Sequence, residues 1–285
     1  MANKFGFIIL HYCALEATIK CVESVIKNID TDNYEIIIVD NASPNNTGLD
    51  LEKKYSNRDR VSVILNESNS GYSSGNNVGI KYAIDRLNCN FIVIMNNDTQ
   101  IIQEDFTAVI ENEYNKSKFA AMGPQVFDLQ GYNDSNPLQG NPPLTVGAAK
   151  DCCAMWRKQY IKSVLKLDDF HPRSHNGDNE IVKEEHIPET NRLEDVILHG
   201  CCVVLSPVYL EKFNGIPEIS FMYSEEPALL YRLRKNHMLS VYNPKLKIFH
   251  EEAISTKHLK RNMKTRNKMM YDAAKGLLKF YKENQ

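Results

Sequence analysis

Apolar residues fall along this chain in short continuous runs, and each run closes in a polar cluster. Phe5–Leu10, Tyr34–Val39, Val61–Leu65 and Phe91–Met95 are rich in Ile, Val and Phe. Runs of this length and composition predict strands buried in a parallel sheet. Between them, Ala14–Asn28 places Ile19, Val22, Val25 and Ile26 on one helical face. Leu49–Tyr55 predicts a short helix, and another runs from Asn76 through Tyr82, Ala83 and Leu87. Strands and helices alternating at this spacing predict βαβ units, hence an α/β domain with a mostly parallel central sheet flanked by helices.

From about Met122 the pattern is less regular. Gly131–Pro143, with Gly, Asn, Ser and Pro throughout, reads as a long loop. Phe170–Thr190 is polar, and its His171, His175 and His186 sit at spacings that match no zinc motif. Gly200–Leu205 predicts a strand and Pro207–Phe213 a helical turn or two. Phe221–Glu226 opens a helix that carries Leu229, Leu230, Leu233 and Arg234, and Val241–Phe249 predicts a strand ending in His250. The tail is basic, with Lys257, His258, Lys260, Arg261, Lys264, Arg266 and Lys268. It continues into a helix whose stripe is Met270, Ala273, Ala274, Leu277, Leu278 and Tyr281.

The candidate chemistry lies where strands stop. In open α/β sheets, ligands sit beyond the carboxyl ends of the strands. Asn96-Asn97-Asp98 follows Phe91–Met95 directly, and Asp98 is a hard oxygen ligand suited to a divalent cation that also holds phosphate oxygens. Asp40 closes the second strand; Asp-Asn-x-Ser is equally a capping turn. Glu225 and Glu226 open a helix, where the macrodipole stabilises carboxylates. Adjacent helical residues do not face the same way, so at most one of the pair is expected to point into a cleft, the other capping the helix or meeting a cation. The Gly71–Gly79 segment is neither a Walker A loop nor Gly-x-Gly-x-x-Gly, which argues against P-loop and dinucleotide chemistry.

Composition narrows the class further. The chain has 285 residues, 42% hydrophobic and 25% charged, with formal net charge −2. These values fit a globular α/β protein with a sizeable core and argue against a nucleic-acid partner. Seven cysteines, two pairs of them adjacent and none in Cys-x-x-Cys, make a poor disulfide framework and a poor zinc site. Reduced thiols and a cytoplasmic setting are the expectation. No stretch reads as a signal peptide or approaches the ~18 apolar residues of a membrane span.

Taken in order, the motifs resemble those of family 2 inverting glycosyltransferases of the GT-A fold, nearest the rhamnosyltransferase-like branch. The resemblance covers roughly Phe5 to His250 and extends weakly to Arg266-Asn267. Val39-Asp40-Asn41-Ala42-Ser43 resembles the family's nucleoside-gripping Val-Asp-Asn-x-Ser. Asn69-Ser70-Gly71-Tyr72 with Gly75-Asn76-Asn77-Val78-Gly79 resembles Asn-x-Gly-Phe…Gly-Asn-Asn-x-Gly. Asn96-Asn97-Asp98-Thr99 stands at the Asp-x-Asp position, with Asn96 where the first Asp would be. Phe221–Arg232 is similar to the segment that holds the base, with Glu225-Glu226 for its Glu-Asp. His250 and Ser255 resemble the closing His…Ser.

The resemblance implies a GT-A (Rossmann-like) domain over 1–250, with a nucleotide-sugar-binding half (1–125) and an acceptor and catalytic half (126–250). A basic helical tail occupies 251–285. It implies that Asp40, Asn41, Ser43, Asn69, Gly71, Asn76, Asn77 and Asn97 bind the donor, and that Asp98 and His250 hold Mg²⁺ or Mn²⁺. Glu226 ranks ahead of Glu225 as general base, and burial beside Phe221 and Tyr223 is expected to raise its pKa. The implied reaction moves a sugar from dTDP-rhamnose or a UDP-hexose, with inversion, to a glycan or lipid-linked glycan in bacterial surface-polysaccharide synthesis. The tail 257–281 is a candidate for peripheral contact with the inner face of a membrane, and its helix for homodimer pairing. Two other readings stand beside this one. A catalytically degenerate nucleotide- or glycan-binding protein is kept open by Asn96 and Glu226. A nucleotidyltransferase is disfavoured because His11–Thr18 contains neither Gly nor Lys.

Overall fold

The computed structural model describes residues 3–129, 131–133, 136–138, 142–166, 189–251 and 263–285. His171, His175, His186, Ser255, Lys257, His258, Lys260 and Arg261 lie outside them.

The first four strands are β1 (Phe5–His11), β2 (Tyr34–Asp40), β3 (Val61–Leu65) and β4 (Phe91–Asn96). They pair in parallel in the order β3-β2-β1-β4. The helices between them are α1 (Leu15–Asn28), α2 (Thr47–Tyr55) and α3 (Tyr72–Asp85). Both faces of this sheet are covered, which is why the strands read as unbroken apolar runs. Along β1, Phe5, Phe7 and Ile9 join a cluster with Val22 of α1 and Leu51 of α2, while Ile8 faces Ile80 of α3.

The second half adds β5 (Thr99–Ile101), α4 (Phe106–Ser117), β6 (Ala121–Asp128), β7 (Gly131–Asn133), α5 (Val146–Val164) and β8 (Leu193–Glu194). It closes with β9 (Cys202–Leu205), the single turn α6 (Pro207–Leu210), α7 (Glu225–Lys235), β10 (Ser240–His250) and α8 (Met263–Glu283). The main path of the sheet runs β3-β2-β1-β4-β9-β6-β10-β5. β6 and β10 are parallel to each other, and β9 runs antiparallel to both β4 and β6. Six of the eight path strands therefore share one direction.

Several elements differ from expectation. The helix expected from Asn76 begins at Tyr72, so Asn76 and Asn77 lie within it. The expected loop over 131–143 opens with the short strand β7. β6 contains Gly123 and Pro124, which argue against a strand; Pro is accepted here because the β6–β10 register shifts directly after the Pro124–Asn243 pair. α5 has little apolar periodicity because only Ala149 of its nineteen residues is buried. Its partner is α8, whose Leu277 and Tyr281 pack with Ala149 and with Ala228 of α7. The predicted tail stripe is thus core. All seven cysteines are free thiols. Among the described residues, no helix is long and apolar enough to cross a membrane.

Candidate active site

Four segments meet at the carboxyl edge of β1, β2 and β4. The first is the strand ends themselves. His11 is fully buried, its Nδ1 2.7 Å from Thr18 Oγ1 and its Nε2 2.9 Å from Thr47 Oγ1. Burial holds the His11 pKa below its ordinary value, against the pull of Asp40. Asn97 donates to the same Thr18 hydroxyl at 3.1 Å. Asp40 accepts the Ser43 hydroxyl at 2.5 Å and the Ser43 N–H at 3.2 Å. It lies so close to α2 that a Cβ on Gly48 would collide with its carboxylate. Asp40 therefore makes the capping turn that Asp-Asn-x-Ser favours.

Asn41 gathers the next predicted group. Its amide donates to Asn69 Oδ1 at 2.9 Å and to the Gly71 carbonyl at 3.1 Å, and its Oδ1 accepts from Ser70 N–H at 3.3 Å. Asn76 donates to the Tyr72 carbonyl at 3.0 Å, and its buried Oδ1 has no hydrogen-bond partner among the described residues. Asn77 is engaged within the protein. It donates to Ile216 O at 3.0 Å and Glu218 Oε1 at 2.6 Å, and it accepts from Ile216 N–H at 2.8 Å.

The second segment is the β5–β10 pair. Antiparallel pairing sets His250 opposite Thr99, and the Glu251 N–H donates to the Asp98 carbonyl at 2.9 Å. His250 Nε2 consequently lies 3.2 Å from Asp98 Oδ1, and both residues are buried. His250 Nδ1 is buried with no hydrogen-bond partner among the described residues. A carboxylate oxygen and an imidazole nitrogen facing each other, Asp98 Oδ1 and His250 Nε2, are a donor set that fits a divalent cation. Among the described residues no cluster of three His, Cys, Asp or Glu could hold a metal alone. Such an ion would draw its remaining ligands from substrate oxygens, as Mg²⁺ commonly does.

The third segment was not among the sequence candidates. Because β9 runs antiparallel to β4, its beginning rather than its end lies at the ligand edge, with Cys202 opposite Met95. The Asn96 N–H donates to the Cys201 carbonyl at 2.9 Å. His199 then faces His250, ring centroids 6.1 Å apart, and its Nδ1 accepts the Cys201 N–H at 3.1 Å. The available signal was His-Gly directly before an apolar run, which marks a functional edge only if that strand is reversed.

The fourth segment is the start of α7. Tyr223 and Ser224 hold consecutive left-handed conformations, φ 77° and 67°. These are strained for residues with side chains, and they turn both Glu225 and Glu226 inward, where at most one was expected. Glu226 Oε1 lies close against Gly200, and the backbone N–H groups of Gly200 and of Glu226 itself pull its pKa down, against burial. The Tyr72 hydroxyl donates to the Gly200 carbonyl at 2.5 Å, and the Tyr72 N–H to the Phe221 carbonyl at 2.8 Å. Burial pushes the Glu226 pKa up, the expected direction. Burial and then the Glu226 charge push Glu225 up to about 8. The same burial, followed by both carboxylates, raises the Tyr72 phenol well above its usual value. The Asp98–His250 pair and the two carboxyls thus stand on either side of His199–Gly200.

Comparison with known proteins bears on this arrangement. Residues 7–163 match the family model described as glycosyl transferase family 2. The low-salt glycan biosynthesis hexosyltransferase Agl10 of Haloferax volcanii is 24% identical over 240 residues, covering 84% of this chain and 64% of that protein. The chain thus spans less than two thirds of the curated relative's length. The crystal structure of S. aureus TarS 1–349 superposes over 99% of this chain and 73% of its own, with TM-score 0.54 and 13% identity. That likeness is one of fold. The TarS 1–349 complex with UDP-GlcNAc aligns over 50% of this chain and 40% of its own at TM-score 0.40 and 20% identity, too partial to compare sites.

Proposed function

The chain belongs to glycosyl transferase family 2, and from that premise we propose that it transfers a sugar from a nucleoside-diphosphate donor to a glycan hydroxyl with inversion. The donor classes in keeping with its motifs are dTDP-rhamnose and the UDP-hexoses, and the acceptor class is a glycan or lipid-linked glycan of a surface polysaccharide. The role of the Haloferax volcanii hexosyltransferase in glycan biosynthesis supports the glycan. The observation that carries the reading is the close approach of Asp98 and His250 at one side of His199–Gly200, with Glu225 and Glu226 at the other.

In this reading each group has a defined task. The Asn41–Asn69–Gly71 network and the Asp40 turn shape the floor on which the nucleoside rests. Asp98 and His250 would hold Mg²⁺ or Mn²⁺. When bound, the ion supplies Lewis-acid stabilisation of a leaving nucleoside diphosphate. Glu226 accepts the proton of the acceptor hydroxyl, and a raised pKa makes it a stronger base once ionised. The hydroxyl oxygen then bonds to the anomeric carbon while the bond to the leaving diphosphate breaks, so one displacement inverts the centre. Glu225 sits beside Glu226 and shares its burial, so the pair retains a proton near neutral pH.

The test is Glu226→Gln, assayed for nucleoside-diphosphate release from dTDP-rhamnose and UDP-hexoses and for nucleotide binding by thermal shift. Turnover should fall by about 10²-fold or more, with binding nearly intact. A variant that keeps most of its turnover would sink the assignment.

A further inference from the structure

Charge is distributed very unevenly over this molecule. Residues 146–166 and 263–285 carry eleven Lys and Arg against three Asp and Glu, a balance of +8 in a chain whose whole balance is −2. The remainder therefore stands at −10. The two stretches form one antiparallel helical hairpin. Tyr160 stacks on Tyr271 at 6.3 Å, Asn267 donates to the Gln159 carbonyl at 3.4 Å, and Ala149 packs with Leu277 and Tyr281.

The apolar side of α8 is turned inward, so it is not what the hairpin offers to a partner. On the other side, Lys264, Lys268, Lys275, Lys279 and Lys282 recur at three-, four- and seven-residue spacing. That spacing makes one longitudinal row on a helix, and all five are exposed. Asn267, next to Lys268, donates to the Gln159 carbonyl, so the row borders α5. α5 and the turn that follows it add Arg157, Lys158, Lys162 and Lys166. Among these cations, that stretch exposes large apolar side chains, Ile161 at 44%, Val164 at 43% and Leu165 at 61%.

We propose that the α5–α8 hairpin is a docking surface for an anionic phospholipid bilayer. Cations arranged around exposed aliphatic side chains match a surface with charged headgroups above an apolar layer. A nucleic acid would account for the lysine row and leave Leu165 and Ile161 without an apolar phase. The surface is also tied to the catalytic helix. The Tyr281 hydroxyl lies 3.2 Å from the carbonyl of Pro227, next to Glu226. Docking would hold the cleft close to the bilayer, and under the transferase reading it would favour lipid-borne acceptors. The docking itself does not rest on that reading.

The experiment is co-sedimentation of the full chain with phosphatidylcholine vesicles, alone or containing about 30% phosphatidylglycerol, in roughly 0.1 M salt. Partition should be at least ~10-fold stronger onto the anionic vesicles, and salt of about 0.5 M should release the protein. Lys264→Glu, Lys275→Glu and Lys282→Glu together should weaken it by roughly 100-fold. Leu165→Ser, which changes no charge, should weaken it about 10-fold. Circular dichroism confirms that each variant is folded. Equal or absent partition onto the two vesicle types overturns the proposal. So does partition that the hairpin variants leave unchanged. Two further results overturn it in the absence of vesicle binding: a dimer abolished by Leu165→Ser, or binding to a homopolymeric RNA abolished by the lysine changes.

Discussion

Gly71→Ala is the substitution whose effect the geometry fixes most closely. Gly71 precedes α3 with φ +90°, and a Cβ there would meet the Phe221 carbonyl oxygen and lie 2.8 Å from its carbonyl carbon. Both neighbours are backbone, so neither can swing aside as a side chain would. A left-handed φ costs an L-residue about 1–2 kcal/mol. Displacing residue 221 breaks the 2.8 Å bond from Tyr72 N–H to Phe221 O, for roughly another 1–3 kcal/mol if a buried group is left unpaired. Alanine's lower unfolded-state entropy returns about 0.4–1 kcal/mol. The net loss should be about 1–4.5 kcal/mol. The assay is urea unfolding followed by circular dichroism, with the slope unchanged between variants. Thermal midpoints should fall by at least ~2 °C. Gly147→Ala is the control of opposite sign. It lies in α5, and a Cβ there meets nothing nearer than Thr145 Oγ1 at 3.8 Å, so removing a helical glycine should stabilise by up to about 1 kcal/mol. A Gly71→Ala loss below about 1 kcal/mol would refute the claim that this turn and the 221–226 segment are locked together.

Two further outcomes follow from the carboxyl pair and from Asp98. Glu225 and Glu226 have folded-state pKa values raised above 4.5, Glu225 to about 8. The folded state therefore holds their protons more tightly than the unfolded state. That contribution is complete below the unfolded value and is lost as pH rises through the folded one. Unfolding midpoints measured from pH 5 to 8 should decline more steeply in the wild type than in Glu225→Gln. His11, kept neutral by burial, contributes the opposite trend to both proteins as pH falls, so it cancels in the difference. A variant as steep as the wild type would show that Glu225 ionises normally. For Asp98, calorimetric titration with UDP and dTDP should show binding that Mn²⁺ strengthens and EDTA weakens. Asp98→Asn should remove that dependence while sparing binding of the nucleoside alone; an undiminished Mn²⁺ effect would take Asp98 out of the metal site.

The candidate site was readable in the sequence where function rides on local chemistry. Asn41, Asn69 and Gly71 lie up to thirty residues apart; the resemblance to family 2 glycosyltransferases marked each of them, and the fold joins them in one network. Glu225 and Glu226 were marked by two carboxylates opening a helix, and burial raises Glu226 as expected and Glu225 as well. α4, α5 and β6 were not readable. Their residues lack a clean period because their neighbours come from elsewhere in the chain, as α8 does for α5.

The amino-acid sequence alone determined the four leading strands, the helices between them and the polar clusters at the strand ends. Those features follow from side-chain period and backbone preference over a few residues. Strand direction was decided only in three dimensions. The rule that ligands gather at carboxyl ends presupposes that every strand points the same way, and β9 does not. Its reversal brings His199 and Gly200 between the two charged groups. The contact of Asp98 with His250, 152 residues later, likewise depends on β5 turning back along β10. The basic hairpin is a similar case, since helical period shows that α8 has an apolar side but not that α5 lies against it. Each of these depends on long-range pairing, whose free energy comes from contacts that no short window of sequence contains.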